Sequence, residues 1–566
     1  MISVIADNIT SPLGCCTSEN LVALKSERSS LAGLTDAWGT RCRATVSLFP
    51  ETIAAAMQAD GLSRFEGFVA NSAFEAISKA GIDITASDTL FVLSTTKGNI
   101  ASLEQGTWSS RDYLGASAVR IAKALGVTTM PLVACNACIS GLSALITAER
   151  LLSSGQYRYA IVSGADLVGK FVFTGFNSLK ALSPDECRPF DMERQGLNLG
   201  EAAATIVLAR EEEGTGCWKI RAAAVRNDAH HISTPAPDGE GLYLALRSVL
   251  EGVDTHGMAF VNAHGTATMF NDQSEAVAFG RAGLTDVQVN SLKGYYGHTL
   301  GAAGLVETII SMHAADIGIA PGTRGFRELG VSEKIRLSPH HQPVASRTFV
   351  KTLAGFGGGN AAVVMTRDNV AATSVKAVSL RTKSRVVITP AKAVINSVSL
   401  QLGSTGKELI TELYMKEIGN YPRFYKMDML SRLGFVASEL LLQTESGRHF
   451  RKRHDRSVIL FNRTSSIDAD KHYWATVTDA GGAFPSPSWF VCTLPNIVVG
   501  EIAIRNGYCG ETSFYILPFR DEEIMDKVLH ASCRDSTVGS VLCGWLDYED
   551  ENHFSADLCL KEVLRQ

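Results

Sequence analysis

What this sequence lacks narrows its function before any motif is read. No stretch approaches the ~20 consecutive apolar residues that a membrane-spanning helix needs, so no transmembrane segment is expected. The start, Met1 to Asn8, has no basic segment leading into a long apolar run and reads as a first strand rather than a secretory signal. Positive charge is not concentrated either. The 53 Lys and Arg face 58 Asp and Glu, net −5, with no basic stripe, which leaves nucleic-acid binding without electrostatic support. Twelve cysteines at irregular spacing in 566 residues do not form a disulfide framework, and a reducing, cytoplasmic setting fits them. Proline is sparse at 16 residues, whereas the 50 glycines fall largely in short turns.

A chain this long exceeds one hydrophobic core, so two or three domains are expected. Residues 1 to about 367 alternate β-rich runs, such as Thr89–Ser94 and Tyr159–Gly164, with helical stretches. Between Ser140 and Leu152 the residues Leu142, Leu145, Ile146, Ala148 and Leu151 recur at helical spacing. Strand, turn, helix, strand is an α/β pattern. Residues 368–385 are polar and weakly periodic and read as a linker.

Residues 386–566 hold a partial internal repeat. Gly67-Phe68-Val69-Ala70 recurs as Gly434-Phe435-Val436-Ala437, and 24 residues after each comes a matching strand, Phe91–Thr96 and Val458–Arg463. Further on, Gly141–Leu145 aligns with Gly500–Ile504. Chance likeness of short apolar segments is the bland alternative; preserved order and spacing weigh against it. On this alignment Ile497, beside Asn496, falls near the position of Cys138, and Cys492 lies too far upstream to replace it. The copy stops soon after its equivalent of the strand at 159–164.

Three motifs carry chemistry. In Ala134–Leu142 a cysteine, Cys138, sits at a strand-to-helix turn, where a helix N-terminus favours the reactive thiolate. The small Ala137, Ser140 and Gly141 let the turn close and leave backbone N–H groups for an oxyanion. A buried, inert cysteine is the competing reading. Cys135 and Cys138 also form a C-x-x-C pair, but a structural zinc site needs four ligands and no second pair appears, so Cys135 is expected in the core. His264 follows the strand Ala259–Ala263 and precedes Gly265. His298 lies in the glycine-rich Gly297–Gly304, flanked by Lys293 and Glu307, which are placed to form a pair. Either histidine alone is more often structural; with Cys138 they read as a site.

Residues 1 to about 367 resemble the elongating β-ketoacyl-acyl-carrier-protein synthases of the thiolase superfamily. The likeness rests on Ala137–Gly141, Arg188–Asp191 with Gly196–Glu201, Asp228–His231, His264–Thr268 with Asp272 and Glu275, Lys293 with Gly297-His298 and Glu307, and Gly355–Asn360. It implies a five-layered αβαβα fold. It implies that Cys138 accepts an acyl group from acyl carrier protein, that His264 and His298 bind the malonyl thioester and promote loss of carbon dioxide, and that Lys293 and Glu307 support them. The N–H groups of Cys138 and Phe356 would form the oxyanion hole, Phe356 and Gly357 the oxyanion and gating turn, and Thr266 and Thr268 the pantetheine contacts. No metal or organic cofactor is implied, because phosphopantetheine arrives on the carrier. A degradative thiolase would need a second cysteine late in this region, and residues 355–360 offer none. An initiating synthase or chalcone-synthase relative would carry asparagine in place of His298. Ala354, Gly359, Met269 and Leu197 depart from the family at positions expected to shape the gate and acyl pocket, so fatty-acid and polyene or polyketide chains both stay open.

Residues 386–566 resemble the N-terminal half of such a synthase without its nucleophile, akin to chain-length factors. The resemblance implies a half-thiolase α/β domain that makes a pseudo-heterodimer with the first, or else leaves the chain to homodimerise. A lid or appendage, or a non-catalytic scaffold role for the whole chain, is the other class of reading.

Overall fold

Runs apolar at every position, such as Leu90-Phe91-Val92-Leu93, suit strands covered on both faces, and that is how they lie in a computed structural model of the chain. The structure describes residues 2–565 apart from 41, 59, 211–215, 369–376, 446, 448, 450 and 480–484. The principal elements begin with β1 (Ile2–Thr10), α1 (Arg64–Ala80), β2 (Thr89–Ser94), α2 (Leu114–Leu125) and β3 (Leu132–Ala134). Then come α3 (Ser140–Ser153), β4 (Tyr159–Asp166), α4 (Lys170–Ser178) and β5 (Ala202–Arg210). A second set follows: β6 (Trp218–Asn227), α5 (Glu240–Val249), β7 (Phe260–Asn262), α6 (Met269–Arg281), β8 (Val289–Asn290), α7 (Ala303–Asp316), β9 (Thr348–Gly355) and β10 (Gly359–Thr366).

The two sets make two five-stranded sheets of one plan. In the first, β2 pairs in parallel with β3 and β4, β4 antiparallel with β5, and β5 antiparallel with β1. In the second, β7 pairs in parallel with β8 and β9, β9 antiparallel with β10, and β10 antiparallel with β6. Side chains alternate across each sheet. Leu90 and Val92 of β2 enter the core that holds α3 and α7, while Phe91 and Leu93 enter the core under α1 and α2. With α5 and α6 over the second sheet, the result is the expected αβαβα stack. Local signals agree with it: α1 opens on a Ser63/Glu66 capping box and stops at Gly81, whose φ of +64° few other residues adopt.

The C-terminal part repeats the first sheet. Its elements are β11 (Val378–Thr389), α8 (Met429–Leu441), β12 (Arg456–Asn462), α9 (Ile467–Asp479), α10 (Pro487–Cys492), α11 (Ile497–Asn506), β13 (Thr512–Ile516), α12 (Glu522–Ser532), β14 (Ser540–Asp550) and β15 (His553–Arg565). β12 pairs in parallel with β13 and β14, β14 antiparallel with β15, and β15 antiparallel with β11. The edge strands β3 and β13 then pair with each other, Ala134 opposite Tyr515 and Val133 opposite Ile516. One sheet therefore runs through both domains, and α3 and α12 share a core beneath it.

Two expectations change. The linker expected over 368–385 is shorter, because β11 already begins at Val378; residues 369–376 lie outside the described residues. The repeat does stop soon after its equivalent of β4, as expected, and is a complete five-stranded half: the counterpart of β4 is β14, followed by β15. The alignment of Gly141 with Gly500 fails as well. The topology pairs α1 with α8 and β2 with β12, as expected, but the counterpart of β3 is β13 and that of α3 is α12. The segment holding α9 and α10 shifts the later register. In that register Phe519, not Ile497, stands where Cys138 does, and it is exposed.

Arg150 of α3 pairs with Glu511 across the domain boundary at 2.7 Å, with Glu511 almost wholly buried. Arg150→Ala strands that carboxylate, and chemical denaturation should show a loss of about 3–5 kcal/mol. A loss below about 1 kcal/mol would mark the pair as solvated like a surface ion pair.

Candidate active site

The chain leaves β3 through a turn that its own side chains pin. Ser140 Oγ donates to the carbonyl of Ala137 at 2.6 Å and accepts from the N–H of Asn136 at 2.8 Å. Ala137 takes a left-handed φ of +49°, a strained value for a residue with a Cβ. Asn136 clamps the turn to the second domain, accepting from the N–H of Phe514 at 2.7 Å and donating to its carbonyl at 3.3 Å. Cys138 follows in a single 3-10 turn ahead of α3, partly open to a cavity. Cys135 is wholly buried beside β3, as expected. A Cβ at Gly141 would come within 3.0 Å of the Gly301 carbonyl and Gly304, so the missing side chain lets the His298 loop approach this helix.

That approach puts His298 Nε2 3.0 Å from Cys138 Sγ. The His264 ring stands edge-on to that of His298, centroids 5.1 Å apart. The N–H groups of His264 and Gly265 donate to Glu275 at 2.8 and 2.7 Å, and those of Phe190 and Ala267 donate to Asp272 at 2.6 and 3.1 Å. The first turns of α6 thus hold the His264–Thr268 loop. Lys293 pairs with Glu307 as expected, and both are buried. Sequence reasoning missed the other half of this pair: Lys351 of β9 also binds Glu307 and donates to the Ala263 carbonyl at 3.1 Å. A lone cation inside Phe349-Val350-Lys351-Thr352-Leu353 was a visible signal, since unpaired buried lysine is rare. Asp166 was missed too. It accepts from Thr95, from the N–H groups of Thr96 and Lys97, and from Gly301, tying the end of β2 to the His298 loop.

Burial dominates the electrostatics. It holds both imidazoles well below their usual pKa, with the Lys293 ammonium adding to it, so His264 and His298 are neutral at neutral pH. Burial pushes the Cys138 thiol up to about 12, although Lys293 opposes it. The helix N-terminus therefore does not produce a standing thiolate; the resting pair is a thiol beside a neutral imidazole. Burial also raises Glu275 to about 7 and Asp272 to about 6, and lowers Lys351 to about 8. Cys138 Sγ and the two ring nitrogens lie within 4.8 Å of one another, the one such cluster among the described residues. Three such donors also suit zinc, but the nearby charges that depress both imidazoles are lysine ammoniums, which repel a cation.

Two cavities meet at the thiol. One of about 370 Å³ runs inward from exposed Met269 and Phe270 past Thr266 and Thr268 to Cys138, His264 and His298. The other, about 20 Å³, lies beyond Phe176 and Phe356 and is closed by Phe490, Thr493 and Leu494 of the second domain; it has room for about one water. Phe176 and Phe356 line both cavities, their rings stacked 6.3 Å apart. Met269, Leu197, Ala354 and Gly359 line only the entrance side, so these departures do not shape the inner pocket as expected. Gly357 is also reassigned. Its N–H donates to Ile232 at 2.7 Å and is not free to hold an oxyanion, whereas Gly355 packs against the backbone of Cys138 and brings Phe356 close. Asn496 donates to the Phe356 carbonyl at 2.8 Å, and a Cβ at Gly500 would meet the Gly357 carbonyl at 2.6 Å. This part of the second domain thus holds the Gly355–Gly358 turn of the first. At the closed end Lys97 pairs with Asp470 at 2.7 Å, both buried.

With the thiol pushed up to about 12, iodoacetamide should alkylate Cys138 about tenfold faster per pH unit from pH ~7 to ~9. Mass spectrometry of the Cys138 peptide reads this; a rate already level by pH ~7 would mean a preformed thiolate.

The family models for "Beta-ketoacyl synthase, N-terminal domain" and "Beta-ketoacyl synthase, C-terminal domain" match residues 17–214 and 218–327, between them more than half of the chain. A 3-oxoacyl-acyl-carrier-protein synthase 2 from Rhizobium meliloti (strain 1021) is 34% identical over 254 residues, 41% of this chain and 59% of its own length. The ketoacyl synthase alpha subunit of the tetracenomycin polyketide synthase from Streptomyces glaucescens is 31% identical over 254 residues, 41% and 58%. The chain thus spans about three fifths of the length of these curated relatives. Among solved structures, a PfaC keto synthase-chain length factor aligns with 99% of this chain and 78% of its own, at a TM-score of 0.76 and 14% identity. A beta-ketoacyl synthase from Burkholderia phymatum STM815 aligns with 65% and 99%, at 0.58 and 23%. At these identities the structures speak for the fold alone, and the first speaks for it across both domains.

Proposed function

The chain belongs to the β-ketoacyl synthase family, and from that premise we propose that it catalyses decarboxylative condensation of a malonyl thioester with an acyl group held on Cys138. The observation that carries this is the 3.0 Å contact between His298 Nε2 and Cys138 Sγ, with His264 facing the same cavity. A nucleophile and base within hydrogen-bond reach need no standing thiolate. The thiol gives its proton to His298 as sulfur attacks the incoming thioester, and the departing pantetheine sulfur takes that proton. A malonyl thioester then enters by the same cavity, where Thr266 and Thr268 line the arm's path. Loss of carbon dioxide leaves an enolate, whose oxygen accepts from the neutral imidazoles. The enolate carbon attacks the Cys138 thioester, releasing the Cys138 sulfur and a β-ketoacyl chain two carbons longer. Lys293, Glu307 and Lys351 position these groups and touch no reacting atom. The backbone N–H groups of Cys138 and Phe356 serve the tetrahedral oxyanion.

The donor is acyl carrier protein, and no metal or resident cofactor takes part. The twelve free cysteines suit a reducing, cytoplasmic setting, and no helix among the described residues is long and apolar enough to cross a membrane. The second domain acts as a non-catalytic partner in the manner of a chain-length factor. Phe519 replaces its nucleophile, and Phe490, Thr493 and Leu494 wall the acyl side of Cys138. Because β13 already occupies the β3 edge, the pairing is internal.

Intact-mass analysis with acyl- and then malonyl-carrier protein tests the chemistry. Cys138→Ala should gain no acyl mass. His264→Ala should acylate yet condense about 10²–10³-fold more slowly, the usual cost of one lost oxyanion donor. Condensation by Cys138→Ala would overturn the mechanism. Phe490→Ala should shift products toward longer chains in the same assay, and an unchanged product profile would remove the second domain from that role.

A further inference from the structure

The turn that follows β9 is built from residues that hold no conformation by themselves. β9 ends at Gly355, and after Phe356 come Gly357, Gly358 and Gly359, the first two at left-handed φ of +85° and +75°. Glycine gives such a turn its shape and no rigidity, whereas an N–H that serves an oxyanion has to be fixed before the reaction starts. The anchors come from neighbours. The Gly357 N–H donates to Ile232 at 2.7 Å, and its carbonyl accepts at 2.8 Å from Asn227 Nδ2, which also reaches Thr512 Oγ1 of the second domain at 2.9 Å. The Gly358 carbonyl accepts from the N–H of Asp228 at 2.8 Å and from Asn360 at 3.0 Å. Phe356, whose own N–H is the proposed donor, is anchored through its carbonyl by Asn496 Nδ2 at 2.8 Å.

Asn496 gives up two other uses for this contact. It is the N-cap residue of α11, where asparagine usually accepts from a backbone N–H two or three residues on, yet its side chain makes no capping bond. Its Oδ1 is buried without a hydrogen-bond partner among the described residues, and the residue is only 4% exposed. The contact is otherwise apolar: the neighbouring Ile497 packs with Ala137, Val491, Leu494 and Phe356. Leaving a buried acceptor unsatisfied is costly, and an apolar side chain of similar shape would avoid that cost. What an apolar side chain lacks is the N–H aimed at the Phe356 carbonyl. That carbonyl also decides which way the amide faces, since it needs a donor.

We propose that Asn496 is a positioning residue for acyl transfer: from the second domain it fixes Phe356, and with it the N–H that takes up the oxyanion when Cys138 attacks a thioester. It touches no reacting atom. This role rests on the functions proposed above for Cys138 and the Phe356 N–H, and it makes a residue of one domain a condition for chemistry in the other. α11 supports the same contact, because a Cβ at Gly500 would meet the Gly357 carbonyl at 2.6 Å, so helix start and turn touch backbone to backbone.

Two reactions of the same thiol separate this role from a merely structural one. Attack on S-acetyl-N-acetylcysteamine passes through a tetrahedral oxyanion, whereas attack on the sulfur of methyl methanethiosulfonate puts no charge on a carbonyl oxygen. Mass spectrometry of the Cys138 peptide follows both on the full chain. Asn496→Leu, which keeps a branched side chain and loses the donor, should slow acetylation about tenfold or more. Thiosulfonate labelling of that variant should stay within about twofold of wild type. Asn496→Ala should behave in the same way. Ile497→Val trims the adjoining packing, keeps the hydrogen bond and should leave both rates within about twofold. Acetylation unchanged in both Asn496 variants, an equal loss in Ile497→Val, or labelling slowed as much as acetylation overturns the role of Asn496. A wild-type Cys138 that labels with the thiosulfonate, yet takes no acetyl group from the small thioester or from acetyl-acyl-carrier protein, overturns instead the function proposed for Cys138.

Discussion

β3 is three residues long, and its outer edge would leave backbone groups open next to the residue that has to be placed best. Its pairing with β13 removes that edge, and Asn136 extends the clamp into the turn. Everything at the site is referred to this seam. The strained Ala137 is held by it, Cys138 follows from Ala137, and α3 carries the seam down to the Arg150–Glu511 pair. The second domain is therefore part of the scaffold that places Cys138.

A second constraint is charge in a dry interior. Two lysines share one glutamate behind the histidines, leaving a local excess of positive charge. Burial first, with that charge adding to it, keeps both imidazoles neutral; in the proposed reaction this leaves a ring N–H for an enolate oxygen and favours negative charge on sulfur or oxygen. Glu275 and Asp272 work at a different level, spending their oxygens on backbone N–H groups to fix the His264 loop.

The legible part of the sequence was whatever chemistry demands locally. Cys138, His264 and His298 lie in glycine-bounded turns at element ends, and the structure brings all three to one cavity. An α/β pattern followed from alternating elements, the five-layered αβαβα plan from the family resemblance, and the repeat was visible where α1 and α8 keep the same residues. It failed where an insertion carrying α9 and α10 broke the register, because a glycine in an apolar helix start matches many places; Gly500 looked like Gly141 for that reason alone. Lys97 with Asp470, and Asn496 with Phe356, were illegible because partners 373 and 140 residues apart leave no spacing to read. Gly357 was misassigned because the sequence does not say which N–H a neighbouring carbonyl has already taken.

Covalent continuity between the two halves of the seam alters how the protein responds to dilution. Partners on separate chains dissociate as they become scarce, and an unpaired catalytic subunit can then meet another of its kind. Here the mate of β3 is always present at the effective concentration set by the tether, and the stoichiometry of one Cys138 turn to one Phe519 turn cannot vary. The β3–β13 pair forms as a single chain folds, with no encounter between chains.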